Sequence, residues 1–129
     1  MSPGRVGVVP YPDRMSVALA RLRSLCSALP EAVEGVTVHH PSFNVRGKTF
    51  ALCTDSPEPD LWIKSTLGDQ AELIATDATR YFKPPYLGPR GWVGVRVDGA
   101  DWSEVAELVT DAYRLAAPKR LIRQLDDPS

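Results

Sequence analysis

Between Val36 and Lys64 the apolar side chains recur at nearly every second position, whereas before and after that stretch they recur at three- and four-residue steps. A period of two belongs to strands with one buried face, and a period near 3.6 belongs to amphipathic helices. A chain that switches from one period to the other and back must pack helices against a sheet, which makes it an α+β protein.

The helical segments have identifiable ends. Met15, Ala18, Leu19, Leu22, Cys26 and Leu29 form one stripe that Asp13 can cap and Pro30 stops. A second, short helix is predicted from Asp69, with Glu72 at capping-box spacing and Ala71, Ile74, Ala75 and Ala78 on its inner side. The clearest stripe is Trp102, Val105, Ala106, Val109, Ala112, Tyr113 and Ala116, opened by Asp101 with Glu104 three residues on. Pro118 suits a first helical position, so Lys119 to Leu125 are expected as a short terminal helix. Strands are expected over Val36–Val38, Phe43–Val45, Thr49–Thr54, Leu61–Lys64 and Gly91–Val97, the last after a stiff loop holding Pro84, Pro85 and Pro89.

The predicted architecture is a two-layer α/β sandwich with a mostly antiparallel sheet and the helices on one face, in the order α-β-β-β-β-α-β-α plus a short C-terminal helix. Residues 1–12, with Pro3, Gly4, Pro10 and Pro12, are read as a flexible arm and residues 13–129 as a single domain. At 129 residues, with 43% hydrophobic and 24% charged side chains, the chain can bury one core. It carries neither a secretory block nor a run of about 18 apolar residues. A cytoplasmic monomer without membrane association is therefore expected, with Cys26 and Cys53 as buried free thiols.

The net charge of −1 gives no overall pull toward nucleic acid, but its distribution is uneven. No Asp or Glu falls between Val36 and Thr54, which hold Arg46 and Lys48, or between Ala78 and Val97, which hold Arg80, Lys83, Arg90 and Arg96. If the helices rest on Val36, Val38, Phe43, Val45, Leu61, Ile63, Val93, Val95 and Val97, alternation sends Thr37, His39, Asn44, Arg46, Trp62, Lys64, Trp92 and Arg96 to the opposite face. Indoles among cations are what base stacking and phosphate neutralisation require. The alternative is that the second or the terminal helix covers Trp62 and Trp92 and the cations snorkel at the rim.

Other motifs carry less. His39 and His40 point to opposite sides of a strand and cannot grip one metal ion together. Asp55, Glu58 and Asp60 lie in a proline-stiffened tip without calcium-loop spacing. Gly88, Gly91 and Gly94 lead into a strand, so no helix N-terminus faces a phosphate. Ser42 and His40 share a face, but no third orienting group accompanies them. No catalytic set, metal site or cofactor motif emerges, and the chain is expected not to be an enzyme.

His40-Pro41-Ser42-Phe43, Val45-Arg46-Gly47-Lys48 followed by Phe50-Ala51, Lys64 closing a strand, Pro85-Tyr86 before Gly91-Trp92-Val93, and Tyr113-Arg114-Leu115 before Ala117-Pro118-Lys119 together resemble the MmcQ/YjbR family over residues 13 to 125. The resemblance implies a frataxin-like sandwich and a family assigned as DNA-binding, with Lys48, Lys64, Tyr86 and Trp92 as the positions carried over. Two positions depart from it: Leu87-Gly88-Pro89-Arg90 stands where many relatives have a His, and Ala112 where many have Ser. Iron binding, which a frataxin-like outline raises, is disfavoured because the first helix carries Arg14, Arg21 and Arg23 and no acid after Asp13.

The residues expected to meet a ligand are Arg46, Lys48, Trp62, Lys64, Tyr86, Trp92 and Arg96. The leading expectation is a nucleic-acid-binding module. The competing one is a module for a small anionic metabolite or a protein partner, with Lys48, Lys64 and Tyr86 lining a pocket at the sheet edge.

Overall fold

The computed structural model describes residues 13–54 and 59–127. Helix α1 (Asp13–Ser27) leads into strands β1 (Val33–Thr37), β2 (His40–Val45), β3 (Lys48–Thr54) and β4 (Asp60–Ile63). Helix α2 (Leu67–Thr76), strand β5 (Tyr81–Phe82), a 3-10 turn (Gly88–Arg90), strand β6 (Val93–Arg96), helix α3 (Trp102–Ala116) and helix α4 (Lys119–Asp126) follow. The six strands form one antiparallel sheet in the order β1-β2-β3-β4-β6-β5. The expected arm and most of the acidic tip lie outside the described residues.

Strand alternation sends Phe43, Val45, Ala51, Cys53, Leu61, Ile63, Val93 and Val95 into one buried layer. Ala18, Leu19, Leu22 and Cys26 of α1, Val105, Val109, Ala112, Tyr113 and Ala116 of α3, and Leu121 of α4 meet them there. The described helices thus gather on one side of the sheet. A bulge between Phe43 and Asn44 leaves Phe50 as the extra residue of β3, so Phe50 and Ala51 both enter the core. The Phe50 ring stands edge-on to Tyr113, with centroids 5.7 Å apart. Tyr113 also ties α3 to the end of α1 by donating its hydroxyl to the Pro30 carbonyl at 2.7 Å. Cys26 and Cys53 are buried thiols, as expected.

Several expectations fail for local reasons. Val36 and Val38 do not support the helices: they are 73% and 77% exposed. Val36 sits on the edge strand, and Val38 with His39 forms the two-residue β1–β2 turn, with φ of 49° and 69°. Such left-handed pairs match the twist of the flanking strands, which explains the turn, although a β-branched residue is a costly choice there. Helix α2 begins at Leu67 rather than Asp69, because the Thr66 hydroxyl accepts from the Asp69 backbone N–H at 3.1 Å. It turns Gln70, Leu73 and Ile74 inward and leaves Ala71, Ala75 and Ala78 exposed. Strand β5 falls in a stretch whose two residues are too few for a period to show.

Candidate functional site

The face of the sheet turned away from the core is ordered by the strand register. One row across it runs Gly35, Ser42, Leu52, Trp62, Gly94 and Phe82. A neighbouring row pairs Thr37 with His40, and Thr54 with Asp60 and Arg96. On the other side of the Trp62 row stand Asn44 and Thr49, and beyond β4 comes Lys64.

The two halves of this face differ chemically. At the β1–β3 end Thr37 Oγ1 donates to Ser42 Oγ at 2.9 Å, Asn44 Nδ2 donates to the same oxygen at 3.2 Å, and Thr49 Oγ1 donates to Asn44 Oδ1. Ser42 is fully buried inside this network. Its oxygen is held by two donors, while His40 lies against Trp62, so the two residues do not form a nucleophile and base. At the β4–β5 end the surface is aromatic. The His40 and Trp62 rings are 6.2 Å apart and tilted by 52°. A Cβ on Gly94 would come within 2.3 Å of the Phe82 ring, so that ring lies directly over the strand beside Trp62.

Cations border these rings. The Arg96 guanidinium sits 4.5 Å from the Phe82 centroid, and the Lys64 ammonium 5.9 Å from the Trp92 centroid. Trp62, Phe82 and His40 are all half-buried. Two polar groups here, Trp62 Nε1 and Thr54 Oγ1, are buried with no hydrogen-bond partner among the described residues. An unpaired buried donor costs about 1–3 kcal/mol.

Of the seven residues the sequence singles out, Trp62 and Arg96 occupy this face, and Lys64 stands at its edge, where it also meets the cleft between α2 and α3. Trp92 stands at its margin, but its indole is only 5% exposed, which withdraws it from direct stacking. Arg46 is not on the face. It occupies the β2–β3 turn at φ 50°, and its Nε donates to Glu31 Oε1 at 2.7 Å. The Arg46 guanidinium holds the Glu31 carboxyl below the usual carboxylate range, with Arg120 adding to the effect at 3.6 Å. His39, expected on the face, is in the β1–β2 turn. Lys48 is exposed beside the Arg46 turn, and Tyr86 projects from the loop after β5.

Lys48, Lys64 and Tyr86, expected to line one anion pocket, do not share the cleft that Lys64 lines. Lys64 does line a cleft of about 550 Å³ between α2 and α3, but the walls hold neither Lys48 nor Tyr86. Asp69, Glu72 and Asp111 stand there against the single ammonium, so the cleft repels an anion. Sequence reasoning also missed Phe82, His40 as a partner of Trp62, and Gln70. Gly94 was the available signal for Phe82, since a glycine inside a strand marks the close approach of another group.

A sheet with helices on one side and a polar network beside an aromatic patch on the other defines a two-layer α/β sandwich. The sequence matches the YjbR family over residues 27–115, and the chain belongs to that family. Its fold is similar to that of the Deinococcus radiodurans protein DR2400, which carries the DUF419 domain: the TM-score is 0.71 at 22% identity, covering 84% of this chain and 87% of that one.

Proposed function

We propose that this protein binds single-stranded nucleic acid on the face of the sheet that the described helices leave free. The observation that carries the reading is the patch of His40, Trp62 and Phe82, three half-buried planar rings side by side, with Arg96 against one of them and Lys64 at the edge. Neighbouring strands are about 4.8 Å apart, so the Trp62 ring on β4 and the Phe82 ring, which lies over Gly94 of β6, are separated by roughly one strand spacing. An antiparallel sheet with helices behind it and aromatics in front is a workable platform for unstacked bases, and each stacked base contributes about 1–3 kcal/mol. Duplex DNA hides its base faces, which favours the single strand. Asp60, paired with Arg96 across the sheet, limits the positive field, so affinity should rest more on stacking than on charge.

The test is fluorescence anisotropy with a labelled oligonucleotide of about 12 nucleotides, titrated near 50 mM salt and above. A small number of phosphate contacts, about two to four, should give a log–log salt slope of about −1.4 to −2.8. Trp62→Ala should weaken binding by about 5- to 100-fold. Absence of binding near 50 mM salt, or unchanged affinity in Trp62→Ala, would refute the proposal. A thermal shift with mononucleotides or carboxylates and none with oligonucleotides would instead favour a small anionic ligand.

A further inference from the structure

The loop joining β5 to β6 is more tightly built than a connection of its length requires. Backbone bonds close it from within, from Leu87 N to Pro85 O at 2.6 Å, Gly88 N to Pro84 O at 2.8 Å and Trp92 N to Leu87 O at 3.3 Å. The buried amide of Gln70 braces it from beneath, with Nε2 donating to the carbonyls of Gly88 at 2.9 Å and Trp92 at 2.6 Å. Gly91, at φ 95°, presses so closely on α2 that a Cβ would stand 2.8 Å from the Leu67 nitrogen. Pro84, Pro85 and Pro89 remove further backbone freedom.

What this frame displays is one ring. Tyr86 is 89% exposed and holds φ at 65°, a left-handed conformation that a non-glycine residue adopts at a cost. Burial gives the tyrosine no return for that strain, and strain of this kind collects where a side chain is being presented. Exposed Lys83 and Arg90 flank it, and residues 78–97 contain no acid. The loop leaves the sheet next to Phe82 and returns at Trp92, so it joins the two strands, β5 and β6, that carry Phe82 and Gly94.

We infer that this loop is a second, preformed contact for single-stranded nucleic acid: Tyr86 stacks on a base next to those held at Trp62 and Phe82, while Lys83 and Arg90 accompany its phosphates. The inference rests on the nucleic-acid reading and adds an element to it. A loop backbone already fixed in place loses little freedom on binding, which is how rigidity is converted into affinity.

The experiment compares Tyr86→Gly, Tyr86→Phe and Trp62→Ala in the full chain with the same oligonucleotide. Glycine accepts the left-handed backbone, so Tyr86→Gly keeps the fold and its melting temperature. It should nevertheless lose about 5- to 100-fold in affinity at an unchanged salt slope, and Tyr86→Phe should remain within about 3-fold of wild type. If Tyr86→Gly binds like wild type while Trp62→Ala is weakened, the loop contact is refuted and the sheet reading stands. If Tyr86→Phe loses as much as Tyr86→Gly, stacking at this position is refuted. If the wild type does not bind, both proposals fall together.

Discussion

Replacing Gln70 with leucine tests the polar joint on which α2 and the β5–β6 loop depend. Gln70 is the one fully buried side chain of α2, and its Nε2 serves the carbonyls of Gly88 and Trp92 together. Leucine has similar bulk and helix propensity, so Gln70→Leu removes the donors and little else. Two hydrogen bonds are lost at a net of about 1 kcal/mol each, and the Trp92 carbonyl is left short of a donor at about 1–3 kcal/mol, while the Gly88 carbonyl keeps its bond from Gly91 N at 3.0 Å. Burial of the added apolar surface returns about 1–2 kcal/mol. The balance is a loss of about 1–4 kcal/mol, or a fall in melting temperature of roughly 3–16 °C for a chain of this size. Urea denaturation followed by tryptophan emission measures it. Gln70→Glu supplies the control, because a carboxylate facing two carbonyls cannot donate while its acid form can. The new carboxyl should therefore have a folded pKa above its unfolded value of about 4.3. Its stability relative to wild type is then greatest below about pH 4.3 and declines as the pH rises through the raised folded pKa. Each comparison is made at one pH, since Glu31, Glu34, Asp77 and Asp126 have lowered pKa values and the native state itself weakens as the pH falls through them. A Gln70→Leu variant within about 0.5 kcal/mol of wild type would refute the reasoning, as would a Gln70→Glu variant whose deficit does not change between about pH 4 and 7.

Burial, with a smaller contribution from Glu34, pushes the Cys26 thiol up from 9.0 to about 12. At about pH 8 its thiolate fraction should be about a thousandfold below that of the unfolded chain, so maleimide labelling of Cys26 should be slow and should accelerate with denaturant. Because the shift is upward, the stabilisation it represents is present below pH 9.0 and is lost as the pH climbs toward about 12. Burial and the Glu104 carboxylate move the Tyr81 hydroxyl in the same direction, from 10.0 to about 12. Rapid labelling of Cys26 in native buffer would contradict this. Val38→Asn should stabilise the protein by about 0.5–1 kcal/mol, since asparagine tolerates the left-handed turn better than a β-branched residue and an exposed valine gives up little packing. A lower urea midpoint would show that Val38 is packed after all.

Residues whose position depends on periodicity alone were readable from the sequence. The α3 stripe, its Asp101 cap, and the placement of Trp62 and Arg96 opposite the core all follow from spacing within one element. Reading failed where the chain turns. Val38 carries no turn signature, so alternation continued through it and put His39 on the sheet. At Arg46 the neighbouring Gly47 announced the turn, but nothing local announced Glu31, fifteen positions earlier, as the guanidinium's partner. Gln70 was hidden because a polar residue on a helix is ordinarily solvated, and only the two distant carbonyls that it serves explain its burial.

These failures change where the positive charge is available. The acid-free stretch from Val36 to Thr54 looked basic along the chain, yet in space Glu31 neutralises Arg46. In the second such stretch, Arg80 lies 3.8 Å from Asp77 and donates to the Gly99 carbonyl. At this end of the sheet Arg96 faces Phe82 and Lys64 faces Trp92, and exposed Lys83 and Arg90 lie in the loop between β5 and β6. The available charge of the proposed site therefore lies at the β4–β6–β5 corner and not at Arg46. There a ligand would be held by flat rings, with only a few charges to orient it.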